Sequence, residues 1–221
     1  MTPTPVSRRQ VNLLLSLLGA SLLMPLRPAL AASEAGFLSA TKDFDAAQAG
    51  DAAALQRAAD AFETLLRAEP GNPVLLAYSG AATAMKASTT MLPWKKMSFA
   101  EDGLAQLDKA LDLLTPAHEA PLYRHTPAVL ETRLTAANTF LGVPGFMNRG
   151  ERGAKLLQQV LDSPLLAASP LPFRGVVWMR AGRHAQMDQR TADARRWYGL
   201  VVAQNAPQAP AAQAALKDLP Q

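Results

Sequence analysis

Apolar residues in this chain recur at helical spacing within short segments that proline and glycine cut apart, and this punctuation constrains the fold more than any other feature. Alanine and leucine dominate, β-branched residues are sparse, and the segments run for about 10 to 18 residues, which is the pattern of short amphipathic helices joined by turns. The spacing predicts helices over 34–48, 52–68, 73–88, 98–114, 127–141, 150–162, 172–187 and 191–204, with a short one near 208–218. No stretch alternates as a strand does, so the expected fold class is all-α.

Alternate helices share an internal signature of a small residue, a large apolar residue four positions on and another apolar residue three after that. The instances are Ala58/Phe62/Leu65, Gly103/Leu107/Ala110, Gly153/Leu157/Val160 and Ala194/Tyr198/Val201. The small residue lets a neighbouring helix approach, and the other two lie on the same face. Pro70, Pro116, Pro164 and Pro207 follow the four sets at comparable distances, so each of these helices is expected to stop in the same way.

In these residues the chain resembles the tetratricopeptide-repeat family, whose second helix carries that signature and ends at a proline. The fullest match is AADAFETLLRAEPGNPVLLAYSG, with Ala58, Phe62, Pro70, Asn72 and Gly80 at the family's positions. Successive signatures lie 45, 50 and 41 residues apart, against a family period of about 34. The resemblance, over about residues 40 to 206, is therefore to a degenerate, loop-extended relative. It implies antiparallel helix hairpins stacked as a short right-handed solenoid, with first helices lining a concave, peptide-binding groove.

The N-terminus addresses location. Arg8 and Arg9 precede an apolar run from Val11 to Met24, and Ala29-Leu30-Ala31 offers small residues for signal peptidase. The run is short for a membrane span, which takes about 20 apolar residues. The expected organisation is a cleavable signal peptide over 1–31 and a single helical domain over 32–221, placed in the periplasm or secreted. Ser7-Arg8-Arg9 resembles the twin-arginine export signal, which leaves that route and the general secretory route both open. Without residues 1–31 the chain holds 19 basic against 18 acidic residues, so the pI of 9.6 is largely a property of the signal. Nucleic acid is not an expected partner, and the membrane enters only during export. The absence of cysteine excludes disulfides, thiolate metal sites and a lipidated N-terminal cysteine.

Two joins look alike: MLPWKKM and VPGFMNRGER each set a proline and an aromatic before polar or basic residues. Equivalent joins of stacked hairpins emerge on one edge, so Trp94, Lys95, Lys96, Phe146 and Arg149 are expected to form an apolar and cationic rim suited to an anionic ligand or an acidic partner. Arg133 and Arg180 each sit in an otherwise apolar first helix, on the rows of Val129, Ala136 and Phe140 and of Val176, Val177 and His184. Such a guanidinium must find a carboxylate or face a groove. The segment 170–200 adds Arg174, Arg183, Arg190, Arg195 and Arg196 as a basic end, opposite an acidic 98–121.

Catalytic patterns are sparse. His118 and His125 share the HEAPLYRH join but match no metal-ligand spacing, so neither a metal nor a cofactor is expected. No phosphate loop, nucleophile elbow or histidine-pair zinc motif occurs. The expectation is a non-enzymatic, exported, soluble binding or scaffold protein for an envelope protein, a peptide or a small anionic ligand, as an accessory to a transporter or an envelope assembly. The alternative is an envelope hydrolase acting on cell-wall glycan, with Glu131 or Glu101 as general acid. An acid at the base of a closed apolar pocket favours the enzyme; an open groove with basic lining favours binding.

Overall fold

The computed structural model describes residues 26–220, with side chains from Ser33 onward. Most of the expected signal peptide thus lies outside the described residues. The described chain is all-α: α1 Leu26–Gln48, α2 Ala52–Ala68, α3 Pro73–Met85, α4 Pro93–Asp112, α5 Ala128–Gly142, α6 Gly150–Leu161, α7 Pro164–Ala168, α8 Leu171–Met187, α9 Thr191–Ala203 and α10 Ala209–Lys217. Single 3-10 turns follow α3, α4 and α5. Among the described residues no helix is long and apolar enough to cross a membrane.

Capping explains where the helices start. Asp51 accepts from the Ala54 amide at 2.9 Å and opens α2, while Asn72 accepts from Val74 and Leu75 at 3.1 and 3.2 Å and opens α3 ahead of Pro73. Proline in the first turn lacks only an amide that has no helical partner there. This is why α4 starts at Pro93, five residues earlier than the spacing predicts: the proline in MLPWKKM starts a helix rather than ending a loop. The short α7, opened by Ser163 and Pro164, was not expected either.

The helices pack chiefly as hairpins, α1 with α2, α3 with α4, α5 with α6 and α8 with α9, and α10 covers α9. Neighbouring hairpins meet through α2 and α3, α3 and α5, and α6 and α8. The shared signature is the seam inside these hairpins. Ala58, Gly103, Gly153 and Ala194 are all buried, as are Phe62, Leu107, Leu157 and Tyr198. Gly103 marks the tightest approach, since a Cβ there would stand 2.5 Å from both the Ala84 amide nitrogen and the Gly80 carbonyl oxygen. Backbone atoms of a packed helix do not yield to a methyl group.

Gly103→Ala therefore has to push α3 and α4 apart. Overpacking of this kind costs about 1 to 3 kcal/mol. We expect a lowered melting temperature with helical circular dichroism retained below it; an unchanged melting temperature would contradict the packing described here.

Candidate functional site

The first helix of every hairpin faces one continuous groove of about 1360 Å3. Its walls come from Phe44 and Asp45 of α1, Tyr78 and Met85 of α3, Leu134, Thr135 and Asn138 of α5, and Phe173, Met179 and Arg180 of α8. Of the second helices only α4 reaches it, through Pro93, Lys96, Met97 and Ala100, and the join carrying Pro144, Phe146 and Met147 forms part of the lining as well. Most of the lining is apolar, so the charges that remain are the informative part.

At the α1 end the charges are spent on each other. Glu131 of α5 is 2% exposed, and its Oε1 accepts from the Tyr78 hydroxyl at 2.9 Å and from the Arg124 guanidinium. Arg124 also donates to the Tyr78 oxygen at 3.2 Å and stacks over Phe37 at 5.1 Å. Burial raises the Glu131 carboxyl above the ordinary carboxylate value, and Arg124 draws it partly back. Burial likewise raises Tyr78 and Asp45. Oε2 of Glu131 and Oδ1 of Asn138 have no protein partner.

The join between α4 and α5 delivers that arginine. Arg124 and His125 take left-handed backbone angles, φ +52° and +57°, a conformation that costs about 1 to 2 kcal/mol for each residue with a Cβ. The loop recovers this by bonding across its own base, Leu122 N–H to the Thr126 carbonyl and Ala128 N–H to that of Ala120. It also seats Tyr123 against Phe37, rings stacked 4.0 Å apart, with the hydroxyl accepting from Asn72 at 2.9 Å. HEAPLYRH is thus a folded lock rather than a plain surface join. His118 is part of a capping arrangement with Thr115, and the described residues contain no group of three or more side chains able to hold a metal.

At the α8 end the balance differs. Of the six arginines in 170–200, Arg174 stacks on Trp178, Arg190 pairs with Asp188 and Asp193, Arg195 donates to the Pro220 carbonyl and Arg196 lies over Trp197. Arg180 and Arg183 make no ion pair or hydrogen bond among the described residues, and both line the groove. Burial, with the charge of Arg183 adding to it, holds the Arg180 guanidinium below its usual value. An unpaired, partly desolvated cation is costly, and an anion in the groove would relieve it.

The remaining predicted residues divide. Lys96 and Phe146 lie at the groove, and Trp94 and Lys95 stand exposed beside it. Arg149 is not a rim residue: it pairs with Asp108 at 3.1 Å, next to Arg152 and over Phe140, and ties the start of α6 to α4. Arg133, expected either to find a carboxylate or to face the groove as a binding residue, is not among the residues that line it, which corrects the second expectation. The α5 stripe that lines it is Glu131, Leu134, Thr135 and Asn138, and a residue two positions after Glu131 sits about 200° round the helix. Sequence reasoning missed Tyr78 and Arg124, and named Arg183 only as part of a basic end. Tyr123-Arg124 inside a proline-bounded loop was the available signal for the lock.

The chain matches no family model, no curated protein and no solved structure.

A raised Glu131 has a fixed consequence for stability. Above the ordinary glutamate value of 4.5 the unfolded chain releases a proton that the folded chain holds more tightly. Stability contributed by the protonated form is therefore lost as pH rises toward the folded value. Chemical unfolding between about pH 4 and about pH 7 is expected to show a shallower fall with pH in Glu131→Gln than in the parent chain. Asp45, shifted the same way, keeps part of the slope in both. Equal slopes would remove Glu131 as the source.

Proposed function

We propose that this protein is an exported helical-repeat binding protein, related in design to tetratricopeptide repeats, whose groove takes an anionic ligand with an apolar body. The observation that carries the reading is Arg180, left without a counter-charge beside Arg183 in an apolar groove, while most neighbouring arginines are engaged. The charged group of the ligand meets Arg180 and Arg183, and its apolar part lies along Met179, Phe173, Leu134 and Met85. A peptide end or a small carboxylate fits this pattern equally by its chemistry. The N-terminal signal supports work outside the cytoplasm, in the periplasm or beyond, and binding rather than catalysis accounts for the groove. An accessory role beside a transporter or envelope assembly agrees with it.

One observation favours the hydrolase alternative, namely that buried Glu131 lines the same groove. Its Oε1 is held by Arg124 and Tyr78, which leaves only Oε2 to carry a proton toward a substrate, and no second carboxylate pairs with it among the groove residues of α5. Glu101, the other candidate, is exposed on α4.

Arg180→Met separates a binding role from a structural one. If the arginine is kept for a ligand, its removal raises the melting temperature, because an unpaired desolvated charge is gone. It also weakens binding of laurate, used as an anionic apolar probe in calorimetry, by about tenfold or more. A lowered melting temperature with unchanged laurate affinity would make Arg180 structural and overturn the proposal.

A further inference from the structure

The first two turns of α4, together with the residues leading into them, protrude from the body: every residue from Met91 to Ser98 is exposed. A helix that packs on its own protein buries one stripe, and this one does so only from Ala100 onward, where Gly103, Leu104 and Leu107 meet α3. The protruding part nevertheless carries the largest exposed apolar side chains of the region. Met91 is 88% exposed and Trp94 66%, with Leu92 and Met97 also outside. Phe146, which lines the same groove as Met97, is 68% exposed on the join between α5 and α6. Scattered exposed apolar residues are ordinary; four within the seven residues from Met91 to Met97 are not.

Its charge is one-sided. From Lys86 to Ala100 the sequence contains Lys86, Lys95 and Lys96 and no acidic residue, with Glu101 and Asp102 following on the next turn inward. At 100° per residue, Pro93, Lys96, Met97 and Ala100 fall on the side of the helix that lines the groove, and Trp94 and Lys95 on the side turned away from it. Apolar side chains able to enter an acyl layer, a tryptophan suited to the headgroup level, and lysines whose stems extend while their ammonium groups stay in water are the combination that interfacial segments use.

We propose that this tip docks on the surface of an anionic bilayer, with Trp94 and Met91 entering the headgroup boundary and Lys95 against lipid phosphates, while Lys96 and Met97 stand where the tip meets the groove. Trp94 and Lys95, which carry the inference, lie outside the groove lining, whereas Lys96 and Met97 belong to it. The inference goes beyond the sequence expectation, in which the membrane matters only during export. Docking there sets the part of the groove lined by Lys96 and Met97 close to the bilayer.

The test uses the full chain with vesicles of phosphatidylglycerol and phosphatidylcholine, or of phosphatidylcholine alone, some carrying brominated acyl chains. Residues 11–24 have an apolar run of their own, so the readout is made local by subtracting the emission of Trp94→Phe from that of the parent. On anionic vesicles the difference spectrum is expected to shift to the blue and to be quenched by bromine. Lys95→Glu/Lys96→Glu is expected to weaken that response about tenfold or more in lipid concentration, and added salt to weaken it in the parent. A Trp94 signal that ignores anionic vesicles, or responds equally to neutral ones, overturns the proposal. So does a blue shift that appears on concentrating the protein without lipid, which would assign the tip to a second copy of the chain.

Discussion

The contact on which the shape of the groove depends is the one between Arg124, Glu131 and Tyr78. It joins a loop, α5 and α3 through a single buried carboxylate oxygen, and Arg124 extends it to α1 by stacking on Phe37 and by donating its backbone N–H to Glu34 at 2.9 Å. Around it Ser33, Glu69, Asn72 and Tyr123 form a second set of bonds between α1, the α2–α3 turn and the same loop. Hydrophobic packing alone would let first helices slide along one another. A buried ion pair contributes little net stability over an apolar replacement, but removing one partner costs about 3 to 5 kcal/mol, so such a pair acts as a register pin. Two left-handed residues in succession, Arg124 and His125, are what the chain tolerates to place it.

With that end neutralised internally, the groove is electrically lopsided. Asp45 and Glu131 lie at the α1 end with Arg124 acting on both, and Arg180 and Arg183 stand on α8 with no ion pair to an acid among the described residues. Folding does not require the second arrangement. The neighbouring arginines show how readily this surface supplies partners: an aromatic ring, a pair of aspartates, a carbonyl. A position that forgoes all of these loses stability, and function is the usual reason such a loss persists.

Much of the fold was legible because it rests on local rules. Hairpin seams were readable from small residues at fixed offsets, and Ala58, Gly103, Gly153 and Ala194 occupy them; helix stops followed from the trailing prolines, while the caps Asp51 and Asn72 come from the structure. The α4 start was misplaced because a proline at the first helical position and a proline in a loop are the same letter. The site was less legible. Arg180 and Phe146 stood out by residue type, but for Arg133 the composition of its helix left groove and ion pair both open, and its angle from Glu131 decides that it does not line the groove. Arg124 was hidden because its role depends on a backbone conformation that residue type disfavours.

The account stands or falls on whether Arg180 is held open for an anion while Arg124 is not. Nuclear magnetic resonance of the arginine Nε–Hε groups reads both in one titration, with laurate as the anion and assignments from Arg180→Met and from a conservative Arg124→Lys variant. The account predicts that the Arg180 signal moves and saturates with added laurate while the Arg124 signal, already committed to Glu131, stays in place. A saturating shift at Arg124 with Arg180 unmoved, or no shift at either, would contradict it.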